Sequence, residues 1–293
     1  MRSQHSLPAR SPQHCEAMIT IRDVISLEDC QRVVALEKEV WGYTDSEDVV
    51  PAPVLIVSVK RGGILLGAFD DGVMKGFVYS MAAFKGERRT HWSHMLGVSQ
   101  DARDAGLGTR LKLAQRQRAL ALGIDLIEWT FDPLQAMNAH FNFAKLGVIV
   151  AEYEENIYGE SSSPLHRGTP TDRFVAEWRL TEPHVERRIA AGGTPAVRDA
   201  QVAAAPVANP PIVAGRWAEP ATPDLSLRDR RVLVEIPVGF SEMQTSAPDL
   251  ALEWRMETRK IFQSYFRRGY RAVDFFLSPE HGRGHYVLTN ISP

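Results

Sequence analysis

Apolar and polar residues follow two different periods along the chain, and these periods predict its strands and helices. Residues 18–24 alternate with the two-residue period of a strand. Over residues 26–41 the apolar positions recur at helical spacing, and Ser26 is typical of a helix N-cap. Asp71-Gly72 lies between two apolar runs, which predicts a tight β-hairpin.

Continued along the chain, the same signals predict an α/β fold over residues 18–180. The order is strand, two helices, three strands, a glycine-rich loop with its helix, then strand, helix and two strands. The strands 64–69, 73–84 and 91–98 follow one another as an antiparallel meander, and 124–132 pairs in parallel across the glycine loop and its helix. We therefore expect a mixed, mostly antiparallel sheet with flanking helices.

The ends of the chain differ from this central part. Residues 1–17 are polar and are predicted to be disordered, and the Ala- and Pro-rich residues 181–227 are predicted to be an extended linker. Residues 228–293 have the pattern of a small β-α-β-β unit. A unit of about 65 residues is marginal alone, so it should pack on the first domain or on a partner chain, as in a homodimer. Its arginines are interpreted as a solvated basic face: Arg255, Arg259, Arg267 and Arg268.

Composition excludes several functional classes. A net charge of −2 gives no bulk attraction to nucleic acid or to an anionic membrane. No apolar run approaches the roughly 20 residues of a membrane span, and the N-terminus lacks a signal peptide's apolar centre. The two cysteines cannot form a disulfide framework, which favours a cytoplasmic protein. No metal-ligand spacing and no Gly-x-Ser-x-Gly motif occur, so neither a metal site nor a serine hydrolase is expected.

A glycine-rich turn connects the strand 91–98 to the next helix, with Arg103, Gly106 and Gly108 in it. The first amides of a helix have no partner within the helix, and glycines let that backbone come close to a ligand. The helix dipole adds partial positive charge at the same place. The turn therefore predicts a pocket for an anion such as a pyrophosphate, the alternative being a plain strand-to-helix connection.

Two other phosphate-binding loops are excluded at this turn. A P-loop ends in Gly-Lys-Ser/Thr, whereas Gly108 is followed here by Thr109 and Arg110. A dinucleotide fingerprint has a third glycine three residues after the second, where this chain has Leu111. The pattern Arg/Gln-x-x-Gly-x-Gly/Ala instead resembles the acyl-CoA pyrophosphate loop of the GNAT superfamily of N-acetyltransferases.

The predicted order of elements over residues 18–180 is also similar to that of the GNAT superfamily, and the whole chain is similar to a bacterial group with an extra C-terminal segment. The resemblance implies acetyl-CoA (coenzyme A) as cofactor, with its pantetheine paired to the strand before the loop. Gly97 would suit a bulge that opens this edge, and the Val98 amide would face the thioester oxygen. The residues that the resemblance assigns to the coenzyme are Leu96, Gly97, Val98, Arg103, Asp104, Ala105, Gly106, Leu107, Gly108, Thr109 and Asn138.

His94 is the first candidate for the general base. It lies four residues before Val98, so both side chains should share one strand face, and histidine titrates near neutral pH. Some arylalkylamine acetyltransferases of the superfamily carry a base histidine at the matching place. The alternative is a packed strand histidine beside Trp92. Glu128 on the adjoining strand is the second candidate, and its alternative is a surface carboxylate.

The general acid is less well defined. The superfamily often has a tyrosine four residues before the glycine that ends its second motif helix, where this chain has Phe143, which has no proton to give. Tyr158 is a distant candidate to replace it, with packing as the alternative. Asp132 is expected to cap a helix rather than to react, and His91 is expected to face solvent.

The sequence therefore favours an acyl-CoA-dependent N-acyltransferase, with acetyl transfer to a small amine or amino-acid-like acceptor by direct attack in a ternary complex. A non-catalytic CoA-binding sensor or scaffold is the alternative, which Phe143 favours slightly. A third hypothesis makes residues 228–293 a regulatory unit that gates the site.

Overall fold

The computed structural model describes residues 19–43, 48–103, 106–159, 168–192, 200–278 and 281–290. The predicted disordered segment 1–17 lies outside them. The helices are α1 (Leu27–Trp41), α2 (Ala52–Lys60), α3 (Leu107–Ala121), α4 (Ala136–His140), α5 (Pro183–Ala190), α6 (Ala200–Ala203), α7 (Phe240–Ser246) and α8 (Pro248–Arg267). The strands are β1 (Thr20–Asp23), β2 (Ile64–Asp70), β3 (Val73–Lys85), β4 (Arg88–Val98), β5 (Leu126–Phe131), β6 (Ile149–Glu154), β7 (Arg173–Arg179), β8 (Ile212–Ala214), β9 (Trp217–Glu219), β10 (Arg231–Pro237), β11 (Tyr270–Ser278) and β12 (Arg283–Asn290).

Ten of these strands form one sheet, in the order β1-β2-β3-β4-β5-β7-β6-β11-β12-β10. Every neighbouring pair is antiparallel except β4 and β5, which are parallel. The fold-class prediction of a mixed, mostly antiparallel sheet with flanking helices is thus confirmed. Local signals also hold: Ser26 Oγ accepts the Asp29 amide at 3.1 Å, and Asp71 and Gly72 form the hairpin turn with φ of 48° and 82°.

Two apolar clusters cover the two faces of the sheet. One cluster joins α1 and α2 to one face, with Val33, Leu55 and Phe77 at its centre. The other joins α3 and α8 to the opposite face, and it runs from Leu107 to Trp254 without interruption. The C-terminal unit therefore shares its hydrophobic core with the rest of the described chain.

Strand β4 is irregular where the candidate base lies. In its pairing with β3, Tyr79 is opposite Met95 and Ser80 is opposite Ser93, so His94 is the extra residue of a β-bulge. The prediction that Gly97 forms the bulge was wrong. A side chain at Gly97 would instead meet the Phe77 ring at 2.8 Å, so close packing requires that glycine.

The bulge also changes the direction of His94. The Leu96 and Val98 side chains pack on the α3 side of the sheet. The His94 ring instead lies edge-on to Tyr79 at 6.3 Å, and Tyr79 belongs to the cluster on the α1 side. The expectation that His94 and Val98 share one face was wrong because the inserted residue breaks the two-residue alternation.

The C-terminal strands extend the same sheet. Ala272 of β11 pairs with Val150 of β6, and the rings of Phe174 and Phe262 lie 4.6 Å apart. The predicted linker is more ordered than expected, since it begins with α5 and contains the β8–β9 hairpin. The helices α5 and α7 and the β8–β9 hairpin were not predicted.

The predicted basic face of the C-terminal unit is wrong for three of its four arginines. Arg255 is 1% exposed and binds Asp132, and Arg259 binds Asp172 and Glu155. Arg268 donates to the carbonyl oxygen of Leu225. Arg267 alone among them is exposed. Across the described residues, no helix has the length and apolar character needed to cross a membrane.

Candidate active site

A cleft opens between β4 and β5 because the two strands pair for only a short distance. Their register pairs are His91 with Ile127 and Trp92 with Glu128, and beyond these the described strands separate. The cleft has a volume of about 670 Å³. Its walls are Glu37, Trp41, Tyr43, Asp48, Ser93, His94, Met95, Leu96, Lys112, Trp129, Thr130, Phe131, Asp132, Gln135, Met137, Asn138, Phe141, Asn142, Tyr158 and Arg173.

The free edge of β4 presents backbone amides to this gap. The Ser99 amide donates to the Lys75 carbonyl of β3 at 2.9 Å. Because successive amides of a strand point in opposite directions, the amides of Val98 and Leu96 face away from β3 and toward the opening. The Val98 carbonyl points the same way and accepts a hydrogen bond from Arg103 Nε at 3.5 Å. This edge can therefore pair with an extended ligand.

The glycine turn at the end of this edge fits a diphosphate. Gly106 has a left-handed φ of 72° and caps α3, whose first intrahelical bond runs from the Arg110 amide to the Gly106 carbonyl. The amides of Leu107, Gly108 and Thr109 thus have no acceptor within the helix. Asp104 and Ala105, also assigned to the coenzyme, lie outside the described residues.

Among the described residues, no close contact requires glycine at position 108. Its φ is not left-handed, and an added Cβ would meet only the end of the Leu96 side chain at an ordinary 3.9 Å. Glycine costs about 1 kcal/mol relative to alanine inside a helix. A ligand that lies against this backbone would explain why the residue carries no side chain.

The helical segment between β5 and β6 changes from α-helical to π-helical winding beside the cleft. After α4 the backbone continues as a π-helical stretch, Phe141–Leu146, a feature that often marks functional sites. Asn138 is exposed on the cleft wall, and its Oδ1 accepts from Asn142 Nδ2 at 3.4 Å. Phe143 is fully buried against Phe131 and Tyr286, so it belongs to the core.

The two base candidates lie in different environments. His94 lines the cleft and is exposed there, and partial burial between the cleft walls lowers the pKa of its imidazole, which favours the neutral ring that can accept a proton. Glu128 is 5% exposed and binds Lys85 Nζ at 2.6 Å, and it is not among the cleft-lining residues. The geometry therefore favours His94 over Glu128, because Glu128 neither faces the cleft nor lacks a partner.

Tyr158, Asp132 and His91 also had expected roles or environments, and the structure gives the surroundings of each. Tyr158 lines the cleft, and its hydroxyl lies 2.7 Å from Thr130 Oγ1. Asp132 caps the turn after β5 by accepting the Leu134 amide at 2.8 Å. His91 is 2% exposed, with Nδ1 3.0 Å from Ser80 Oγ, so the expectation that it faces solvent was wrong.

Glu37 and Lys112 are ionisable residues of the cleft that were not singled out from the sequence. Glu37 of α1 is 1% exposed, and Lys112 of α3 is 2% exposed. Lys112 Nζ donates to Ser93 Oγ and Gln115 Oε1 and lies 3.7 Å from the centre of the Trp129 ring. The burial of Glu37 could have been inferred from the sequence, because Glu37 lies on the apolar stripe of its helix. Within the described residues, no group of three His, Cys, Asp or Glu is placed to hold a metal ion.

Neither a protein-family model nor a curated protein matches the chain. Solved structures that it resembles are acetyltransferases, and the similarity spans about half of this chain. A GNAT-family acetyltransferase from Streptococcus pneumoniae is 18% identical over 55% of this chain and 98% of its own, with a TM-score of 0.44. The ribosomal-protein-S18-alanine N-acetyltransferase of Escherichia coli is 13% identical over 56% and 96%, with a TM-score of 0.46.

PaiA N-acetyltransferase from Thermoplasma acidophilum, solved in complex with coenzyme A, is 17% identical over 55% of this chain and 99% of its own, with a TM-score of 0.40. These neighbours are N-acetyltransferases or GNAT-family acetyltransferases, the superfamily that the sequence resembles. About half of the chain has no counterpart in them.

Proposed function

We infer that the chain is an acyl-CoA-dependent N-acyltransferase that moves an acetyl group from acetyl-CoA to a small amine or amino-acid-like acceptor. The observation that carries this inference is the separation of β4 from β5 after two register pairs. The free β4 edge runs from the cleft to the glycine-capped start of α3. A thioester arm and a diphosphate need this combination of an extended edge and a helix N-terminus.

The residues that would hold the coenzyme follow from this arrangement. The backbone from Arg103 to Thr109 would hold the diphosphate, because the amides of Leu107, Gly108 and Thr109 have no acceptor within the helix. Leu96, Gly97 and Val98 would pair with the pantetheine, and Asn138 offers an amide to it from the opposite wall. The bound coenzyme supplies the acyl group as a thioester.

The chain's own groups then supply the acid–base chemistry. His94 is neutral and faces the cleft, so it accepts a proton from the acceptor nitrogen directly or through a water. The Val98 amide donates to the oxygen that gains charge during attack. Overall the C–N bond forms, the C–S bond breaks, the nitrogen gives up a proton and the departing thiolate gains one.

Thiol release from acetyl-CoA, measured over a library of primary amines, tests this function. We expect release with a subset of amines and none without an acceptor. Calorimetric binding of coenzyme A without thiol release across the library would instead favour the sensor or scaffold. Absence of coenzyme A binding by the folded protein would contradict both.

A further inference from the structure

Glu37 is a buried carboxyl group on the cleft wall, and among the described residues one of its two oxygens has a hydrogen-bond partner and the other has none. Its Oε1 accepts the Val50 amide at 3.1 Å. Its Oε2 is buried and has no hydrogen-bond partner among the described residues, and the whole residue is only 1% exposed. A buried carboxylate oxygen without a partner is costly unless a proton or a cation reaches it.

The position of Glu37 on α1 explains why it is buried. Val33 and Leu36 on the same helix are core residues, and Glu37 lies on the stripe that they define. The helix therefore holds the carboxylate against the sheet, on the wall that also contains the stacked rings of Trp41 and Tyr43, 6.2 Å apart. An aromatic wall that carries a buried carboxylate is suited to an ammonium on an apolar body.

The charged and titratable groups around Glu37 come from several elements. They are Lys38 on its own helix, Tyr43 and Asp48 before α2, and, on the other walls of the cleft, His94 and Arg173. Burial raises the pKa of Glu37 to about 7, although the Val50 amide and the Lys38 charge act in the opposite direction. At neutral pH the carboxyl group is therefore ready both to bind an ammonium and to take a proton from it.

We propose that the Glu37 carboxylate binds the ammonium group of the acceptor and removes its first proton. The inference rests on the acyl transfer proposed above and names the acceptor as a primary amine that enters the cleft protonated. Aromatic rings of Trp41 and Tyr43 flank its apolar part.

This role divides the proton transfers between two residues. An ammonium must lose two protons to become an amide nitrogen. Glu37 takes the first, which leaves a neutral amine with a free electron pair. The amine attacks the thioester carbon, and His94 takes the second proton as the C–N bond forms and the C–S bond breaks. One of these protons goes to the thiolate and the other to solvent.

The variant Glu37→Gln tests the binding step, with 2-phenylethylamine as the probe and the uncharged 2-phenylethanol as its isostere. Glutamine keeps an oxygen for the Val50 amide, so the fold should be retained. We expect the wild-type protein to bind the amine at least about tenfold more tightly than the alcohol, and the variant to lose that preference. The matched control is Glu39→Gln, because Glu39 is an exposed carboxylate two residues along the same helix.

A second readout does not depend on turnover. In protein with ¹³C-labelled glutamate, the Glu37 carboxyl signal, identified by its loss in Glu37→Gln, should titrate near neutral pH and at lower pH once the amine is bound. Turnover of an accepted amine should fall about 100-fold in Glu37→Gln and be unchanged in Glu39→Gln. Equal amine and alcohol binding by the wild type, or full turnover by Glu37→Gln, contradicts the inference but leaves acyl transfer intact. Charge-selective binding without any thiol release would overturn acyl transfer while the ammonium site stands.

Discussion

Arg255 of α8 forms a doubly hydrogen-bonded ion pair with Asp132 at the end of β5, across 123 residues of sequence. The Nη1–Oδ1 and Nη2–Oδ2 distances are 2.8 and 2.6 Å, and both side chains are buried. Burial tends to raise the pKa of Asp132, but the Arg255 charge and its hydrogen bonds outweigh this and lower it. Since Asp132 also lines the cleft, the C-terminal unit helps to fix one of its walls.

Replacing Arg255 with leucine should strongly destabilise the protein. The change leaves the Asp132 carboxylate buried without its main partner, which costs about 3–5 kcal/mol of the free energy of unfolding. Urea unfolding monitored by circular dichroism measures this loss. Adding Asp132→Asn should recover part of it, because no unpaired carboxylate then remains buried.

The matched control is Arg267→Leu, which removes an exposed arginine from the same helix. Its effect should stay within about 0.5 kcal/mol. If Arg255→Leu and Arg267→Leu were equally stable, the Arg255–Asp132 ion pair would not hold α8 against the cleft wall in the way that its geometry indicates.

Gly108→Ala should separate coenzyme binding from folding. The added Cβ has room beside Leu96 and raises helix propensity, so the melting temperature should stay the same or rise. The same methyl group would stand where a diphosphate approaches the backbone, so the Kd for coenzyme A should increase at least about tenfold, or 1.4 kcal/mol. Calorimetry and thermal unfolding of the same sample measure both quantities.

Gln117→Ala is the control for that change. Gln117 is exposed on α3, far along the helix from its N-terminus, so alanine there should alter neither coenzyme affinity nor fold. Unchanged affinity in Gly108→Ala would remove the glycine turn as the diphosphate site.

His94→Gln should reduce turnover about 100-fold or more while leaving coenzyme affinity unchanged, because the ring is expected to accept a proton and not to bind the coenzyme. Desolvation lowers the pKa of His94, so the ring of the wild-type protein protonates only at acidic pH. The rate should therefore fall as the pH drops through that lowered pKa, and this fall should be missing in His94→Gln, in which protonation of Glu37 alone limits the rate at low pH.

His140→Gln controls for the loss of a histidine, because His140 is not among the residues that line the cleft. Rate measurements from pH 5 to 9 with an accepted amine distinguish the two variants. A variant His94→Gln that kept the wild-type rate and the acidic limb would assign proton removal to another group.

Local signals predicted most of the elements of the fold. The turn at Asp71 and Gly72 and the cap at Ser26 were predicted because each depends on neighbouring residues, and the structure contains both. The glycine turn before α3 is local in the same sense. Its backbone requirement at Gly106 can be inferred from residue type, and φ is left-handed there.

The remaining features depend on residues far apart in sequence. The bulge at His94 exists only in the register of β4 against β3, so no property of β4 alone predicts it. The charge of Arg255 suggested that its side chain faces solvent, but the guanidinium instead forms an ion pair with Asp132. Burial along α3 also depends on distant packing partners, since Leu122 is 50% exposed, while Lys112 and Gln115 are buried.

Lys112 should make stability depend on pH in a direction that can be stated in advance. Burial lowers the pKa of its ammonium from 10.5 to about 7. Between these values the unfolded chain holds more protons than the folded one, so this contribution to stability rises as the pH rises from 7 toward 10.5. In Lys112→Met the contribution is absent, and Ser93 and Gln115 still bond each other at 3.1 Å. The difference in free energy of unfolding, wild type minus variant, should therefore increase by at most about 1.4 kcal/mol per pH unit.

Urea titrations at pH 6, 7, 8 and 9 measure that difference, and Lys60→Met, an exposed lysine at the end of α2, is the control with no expected slope. At pH 6 the folded protein must hold a buried charge, so Lys112→Met should there be at its most favourable relative to the wild type. A difference that stayed constant from pH 7 to 9 would mean that Lys112 remains charged in the fold. The rings of Trp129 and Trp178 would then stabilise the ammonium more than its burial destabilises it.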